Sequence, residues 1–247
     1  MKIKDINQEQ YLFTEDDYDV FDPKLIRCTD LEINRKRNIV KNKLIKLHND
    51  IYPIVRKEYK VDKHYNDRYI TSLPYCNQHN NWEVHWLGLR YGQDGKIVKE
   101  MDKDIADNDP LRGFLMYQCY QINITNKAFE IGMYHSTPRN TYDRGYVHSK
   151  IDNKEYQHKL INAINELKGH GFIYYAGEGK FNIDQEEAKD FINFYNKYDL
   201  YDTYSSCIVA IPIKSRLLLE ENIATTCIDY IDLLSELFNV MRWVKNG

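Results

Sequence analysis

The sequence predicts an α+β fold: a mainly antiparallel sheet built from hairpins and flanked by amphipathic helices. Three observations predict it. Residues 113–137 read as two strands joined by Thr125-Asn126-Lys127. Residues 35–60 and 222–244 carry apolar side chains at three- and four-residue steps. Between them strand-like and helix-like stretches alternate, with no internal repeat and no low-complexity tract.

Each element has its own local reason. Residues 1–34 read as an acidic N-terminal arm, rich in Asp and broken by Pro23, with Tyr11, Leu12, Phe13 and Phe21 available to pack. Residues 35–247 read as a single α+β domain. Its first helix, 35–60, has the stripe Ile39, Leu44, Leu47, Ile51 and Val55, and Pro53 is placed to kink or end it. Residues 61–81 are polar and read as loop. Residues 82–91 (WEVHWLGLRY) read as a strand, Gly92-Gln93-Asp94-Gly95 as a turn, and Lys96–Val98 as the returning strand. Phe114, Met116, Tyr120, Ile122 and Ile124 put a buried face on the strand 113–124, which pairs with 128–137. Residues 155–168 read as a helix stopped by Gly169. Residues 172–183 form a second hairpin through Gly177-Glu178-Gly179. Asp184 then caps a helix 185–198, with Glu187 as its capping-box partner. Residues 207–213 (CIVAIPI) are a short buried strand, and 222–244 the last helix.

Composition narrows the function classes. Hydrophobic residues are 43% and charged residues 29%, which excludes wholesale disorder. No apolar run approaches the ~20 residues of a bilayer span, so no membrane partner is expected. The start MKIKDINQEQYLF has no secretory pattern, and five cysteines without a CxxC spacing indicate neither a disulfide framework nor a zinc ribbon. A reducing, cytoplasmic setting follows. The 21 tyrosines, with abundant Asn, Lys and Ile, fit the codon bias of an AT-rich genome such as those of low-GC bacteria and their phages.

The net charge of −3 is unevenly spread. Residues 1–34 carry −5, residues 35–68 carry +7 and the remainder −5. A charge run is ordinarily a solvated helix face. The same run can also bind a polyanion, because phosphate contacts act within a Debye length of ~8 Å. Lys41, Lys43 and Lys46 are its candidate phosphate contacts. A second basic stretch, 138–150, mixes Arg139 and Arg144 with Tyr142 and Tyr146, the charge-plus-ring chemistry of a nucleic-acid loop. Trp86 and Arg90 share one face of strand 82–91. They bind a partner if the Leu87–Leu89–Tyr91 face is the core, and are structural if it is not.

Catalytic patterns are weak. Glu178-Gly179-Lys180 has the ExK form of metal-dependent nucleases but falls in a tight turn. Asp102, Asp104, Asp107 and Asp109 miss an EF-hand loop, since the sixth position is Asp107 and the twelfth Gly113. His135 and His148 flank the second basic stretch and could act as an acid–base pair. No catalytic residue, metal site or cofactor is assigned from these patterns.

The order of elements resembles the N-terminal DNA-binding domain of McrB-type modification-dependent restriction proteins. The likeness runs from the helix 35–60 through HWLGL at 85–89, GFLMYQCYQINI, AFEIGMYH and CIVAIPI to the helix 222–244. Only Trp86 is carried over as a residue, and His85 stands where that family usually has proline. The resemblance implies a module that flips a modified cytosine into an aromatic pocket, with the nucleotide-driven motor and nuclease elsewhere, since no GxxxxGK[ST] occurs. The expected function is therefore a non-catalytic nucleic-acid-binding module of a restriction or phage-defence system, with DNA as partner. The alternatives are a nuclease using Glu178 and Lys180, and a protein-interaction factor, such as a phage inhibitor of a host protein, that binds through the acidic arm.

Overall fold

The computed structural model describes residues 12–63, 82–103, 105, 113–135, 141–199, 207–213 and 222–245. It is an α+β fold with an antiparallel sheet. Among the described residues seven strands are hydrogen-bonded in the order β1-β2-β3-β4-β7-β5-β6. They are β1 (Asp62–Lys63), β2 (Trp86–Gly92), β3 (Cys119–Thr125), β4 (Phe129–His135), β5 (Ile173–Ala176), β6 (Gly179–Asn182) and β7 (Cys207–Ile213). The helices are α1 (Glu15–Asp19), α2 (Leu31–Tyr59), α3 (Gly95–Met101), α4 (Tyr142–Lys150), α5 (Lys154–Glu166), α6 (Phe191–Tyr198) and α7 (Ile223–Met241). The chain divides into two compact units: Met1–Tyr91, Gln121–Ile131 and Pro212–Asp229 make the first; Gly92–Tyr120, Gly132–Ile211 and Tyr230–Gly247 make the second.

In the first unit α2 is the organising element. Asp30 caps it by accepting from the Glu32 N–H, and Lys60 closes it in the left-handed conformation, φ 53°. Pro53 neither breaks nor ends it. The proline ring forfeits only the bond to the carbonyl of Asn49, which lies on the exposed side of the helix. Val40, Leu44, Leu47, Ile51 and Val55 are wholly buried, as are Leu87, Leu89, Tyr91, Ile122, Ile124, Phe129 and Ile131. The His48 Nδ1 lies 3.0 Å from the Tyr91 hydroxyl, and the Tyr52 ring is stacked 5.9 Å from that of Tyr91. These contacts place α2 over the Leu87–Leu89–Tyr91 face of β2. The described part of the arm is packed. Phe13, Tyr18, Val20 and Phe21 are buried, and Arg37 donates to the carbonyls of Val20, Leu25 and Cys28.

Several expectations need correction. The strand in 82–91 begins at Trp86; Trp82 precedes it with φ 62° and is 61% exposed. Lys96–Val98 is not a returning strand but part of α3, because the Asp94 carboxylate accepts from the Lys96 N–H and caps a helix there. Residues Gly113–Met116 form a 3-10 turn, and Phe114, Met116 and Tyr117 join Val98 in a local apolar cluster instead of lengthening β3. Residues 142–150 are the helix α4, not a loop. Asp184 does not cap α6; its carboxylate accepts from the N–H groups of Gly169 and Gly171, both at positive φ.

The second unit has a core of Leu160, Ile164, Leu167, Phe172, Leu234, Leu237 and Met241, with Tyr174, Phe181, Phe191 and Phe194 packed ring against ring. In register, Tyr174 lies opposite Phe181 on β6 and Val209 on β7. No helix among the described residues is long and apolar enough to cross a membrane.

Candidate nucleic-acid interface

The two faces of β2 are chemically opposite. Leu87, Leu89 and Tyr91 are wholly buried beneath α2, so Trp86, Gly88 and Arg90 point the other way. Trp86 and Arg90 are half-buried, and the Arg90 guanidinium lies 5.4 Å from the Trp86 ring centroid. Trp86 thus stands on the face of β2 turned away from α2, partly covered.

β3 and β4 extend the outward face. A Cβ at Gly88 would meet Asn123, and one at Gly92 would meet Cys119. Those two contacts fix an antiparallel register in which Arg90 lies beside Gln121 and Trp86 beside Thr125. The Asn123 side chain is hydrogen-bonded to Glu130 on β4. So Trp86, Arg90, Gln121, Asn123 and Glu130 share one face of the sheet within the first unit, and the two amides on it are shielded from solvent. Gln121 is 5% exposed and Asn123 6%. Among the described residues neither the Gln121 Oε1 nor the Asn123 Oδ1 accepts a hydrogen bond. Burial holds the Glu130 carboxyl above its ordinary range, opposed by the bond from Asn123. Strict polar alternation against Tyr120, Ile122 and Ile124 sets the two amides on the face opposite the apolar one, but does not foretell their burial.

The basic segment is only partly a surface. The exposed stripe of α2 runs Arg35, Ile39, Asn42, Lys46, Asn49, Pro53 and Arg56, opposite the buried stripe, and holds no acid. Lys46 stands on it. Lys41 lies half-buried on the flank nearer the core. Lys43 is paired with the mostly buried Asp17 at 2.5 Å and sits 5.9 Å from the Phe13 ring, so its charge secures α1. The stripe and the Trp86 face lie on opposite sides of the first unit.

The second basic stretch is corrected more sharply. Arg139 lies outside the described residues. Arg144 is wholly buried, with Nε 2.9 Å and Nη2 2.7 Å from Oδ1 of the equally buried Asp199. It is a core ion pair, not a phosphate contact. Tyr142 is half-buried, with its ring 5.1 Å from those of both Tyr117 and Trp243. The structure does bring His135 and His148 to one place: both rings lie against Tyr195, His135 edge-on at 6.3 Å and His148 tilted at 5.3 Å. His135 is wholly enclosed. Its Nδ1 meets Gln118 Oε1 at 3.1 Å, and its Nε2 meets the Tyr195 hydroxyl at 3.2 Å. Gln118 Nε2 is committed as donor to the Phe238 carbonyl. The imidazole therefore donates from Nδ1 and accepts at Nε2. Burial lowers its pKa to about 4, which keeps it neutral.

Glu178 and Lys180 are exposed at the β5–β6 turn. Asp102 is buried and accepts from the Gly113 N–H, while Asp104, Asp107 and Asp109 lie outside the described residues. Among the described residues no three His, Cys, Asp or Glu side chains are grouped to hold a metal ion. Compared with models of known families and with curated proteins, the chain matches none.

Proposed function

We propose that the chain is a non-catalytic nucleic-acid-binding module that reads bases on the outward face of β2, β3 and β4. The observation that carries this reading is the half-buried Trp86 ring with the Arg90 guanidinium over it. A ring stacks any base, worth ~1–3 kcal/mol by alanine substitution, and a guanidinium supplies donors to a phosphate or a base edge. The outward stripe of α2 faces away from this surface. Its cations act through their field, drawing in a polyanion and raising the encounter rate, rather than reading sequence. The restriction or phage-defence setting belongs to the same proposal and rests on the order of elements.

Binding to single-stranded and duplex DNA, with and without modified cytosine, tests the reading at two salt concentrations. Affinity is expected to fall steeply with salt, and Trp86→Ala to lose about tenfold or more. Wild-type protein that binds no strand at low salt overturns the proposal in favour of protein interaction.

A further inference from the structure

We infer that the cavity where α4, α5 and α7 meet is a binding site for a phosphate monoester, with Lys150, Asn153 and Tyr146 donating to the phosphate oxygens and the Tyr146 and Tyr156 rings walling the rest of the ligand; this goes beyond the nucleic-acid reading and does not rest on it.

The cavity lies within the second unit and has a volume of about 420 Å³. That falls in the size range of small-molecule sites. It opens between the last turns of α4, the first turns of α5 and the end of α7. Its aromatic wall is fixed before any ligand arrives. The Tyr156 hydroxyl donates to the Val240 carbonyl at 3.1 Å, and the rings of Tyr146 and Tyr156 meet edge to face at 6.0 Å.

The acceptors bordering the cavity are already used. Asn153 Oδ1 accepts the Tyr156 N–H and so caps α5. The Asn153 carbonyl accepts from the Gln157 N–H, and the Lys150 carbonyl from the Asn153 N–H. Glu155, the one acid that lines the cavity, is paired with Lys159 at 2.8 Å. The donors are not used. With its oxygen committed to the cap, Asn153 has only its Nδ2 to offer. Lys150 is exposed, and among the described residues its ammonium has neither an ion pair nor a hydrogen bond. The Tyr146 hydroxyl has no hydrogen bond among them either. Asp152, close in sequence, does not line the cavity. The cavity is therefore rich in donors, and one cation on it is unmatched.

The complementary ligand is an anion that accepts from several directions at once. A phosphate monoester has three terminal oxygens, enough for an ammonium, an amide N–H and a phenol O–H together, and lysine serves it as a point charge. A carboxylate is flat and has one oxygen fewer. A bare phosphate ion fills only part of the space, which leaves the remainder to the body of the ester, against the two tyrosine rings.

The test is equilibrium binding of the full chain to AMP, adenosine and inorganic phosphate, and to a thymine single strand with and without a terminal 5′-phosphate. AMP is expected to bind about tenfold or more tightly than adenosine, which lacks the phosphate, and more tightly than inorganic phosphate, which lacks the ring. Asn153→Asp keeps the helix cap but puts a charged acceptor where the donor stood, and is expected to abolish AMP binding while leaving the thermal midpoint within a few degrees. Lys150→Ala removes an exposed, unmatched cation and is expected to weaken AMP about tenfold with an unchanged melt. Where Asn153→Asp fails to fold, Lys150→Ala decides. Equal affinity for AMP and adenosine, AMP binding that neither variant alters, or binding of neither AMP nor the phosphorylated strand overturns the site and leaves the nucleic-acid reading standing. Inorganic phosphate held as tightly as AMP overturns the part given to the rings. A strand that needs its 5′-phosphate to bind, with AMP not bound, supports the phosphate contacts and assigns the monoester to a strand end.

Discussion

The side-chain amide of Asn123 rests against the bare Cα of Gly88, so closely that a Cβ at position 88 would stand 2.1 Å from Oδ1 and 2.6 Å from the Ile122 carbonyl oxygen. The first neighbour can turn away, but the second is backbone of the adjacent strand. Gly88→Ala is therefore expected to destabilise the protein by about 1–3 kcal/mol, as overpacking does. Adding Asn123→Ala should recover only part of the loss, because the carbonyl clash remains. Urea denaturation of the single and double variants measures both; full recovery would show that the strands can part without cost.

The Arg144–Asp199 pair is fully enclosed, so removing one member leaves a buried charge unmatched. Asp199→Ala is expected to cost ~3–5 kcal/mol, while replacing both residues with apolar ones of similar volume costs far less. A double-mutant cycle in denaturant reads the difference. If the single variant melts like the wild type, the pair is not buried in solution.

Lys43 and Lys46 are three residues apart and should respond oppositely to charge reversal. Lys43→Glu faces Asp17 with a second carboxylate at a half-buried site and is expected to lower stability. Lys46→Glu lies on the exposed stripe and should leave the melt unchanged, yet flatten the dependence of DNA affinity on salt. Melting curves and salt titrations on both variants check this crossover.

His48 and His135 set the response to acid. Burial is the leading cause that lowers each to about 4 from the ordinary 6.5. Between those values the unfolded chain binds the protons and the native state does not, so both histidines make stability fall as pH drops from about 6.5 to 4. Asp143 acts the other way. Burial raises its carboxyl to about 7 from 3.8, so the native state holds a proton that the unfolded chain releases, and its contribution is lost as pH rises through about 7. His148, lowered by burial, and Glu130, raised by burial, add one group to each side, which leaves the histidines ahead between pH 4 and 6.5. Stability measured there should rise with pH, and His48→Gln should reduce that slope. An unchanged slope would mean that His48 titrates alike in both states.

The hairpin, α2 and α7 were legible in the sequence because each has a period and a boundary signal within a few residues. Thr125-Asn126-Lys127 turns β3 into β4, and the α2 stripe survives Pro53 because that residue faces outward. The errors share a cause. Asp94-Gly95 reads equally as a hairpin turn or as a cap and first helical residue, and only the bond from Lys96 N–H to Asp94 decides for α3. Arg144 looks like a surface cation until Asp199, fifty-five residues later, is folded against it. The burial of Gln121 and Asn123 was hidden because polar residues on a strand read as solvent-facing, and nothing local says that they are shielded.

Beyond the end of α7, Trp243 donates its N–H to Asp143 Oδ1 and accepts at its carbonyl from Gln93 Nε2, while the other oxygen of Asp143 receives the Gln118 N–H at the head of β3. Arg242 is bonded to Gln93 as well. Mechanically this carboxylate is a junction. Tension applied at residue 245 does not peel α7 away turn by turn; it runs through Trp243 into α4 and the start of β3, so the first rupture under load involves residues a hundred or more apart in sequence.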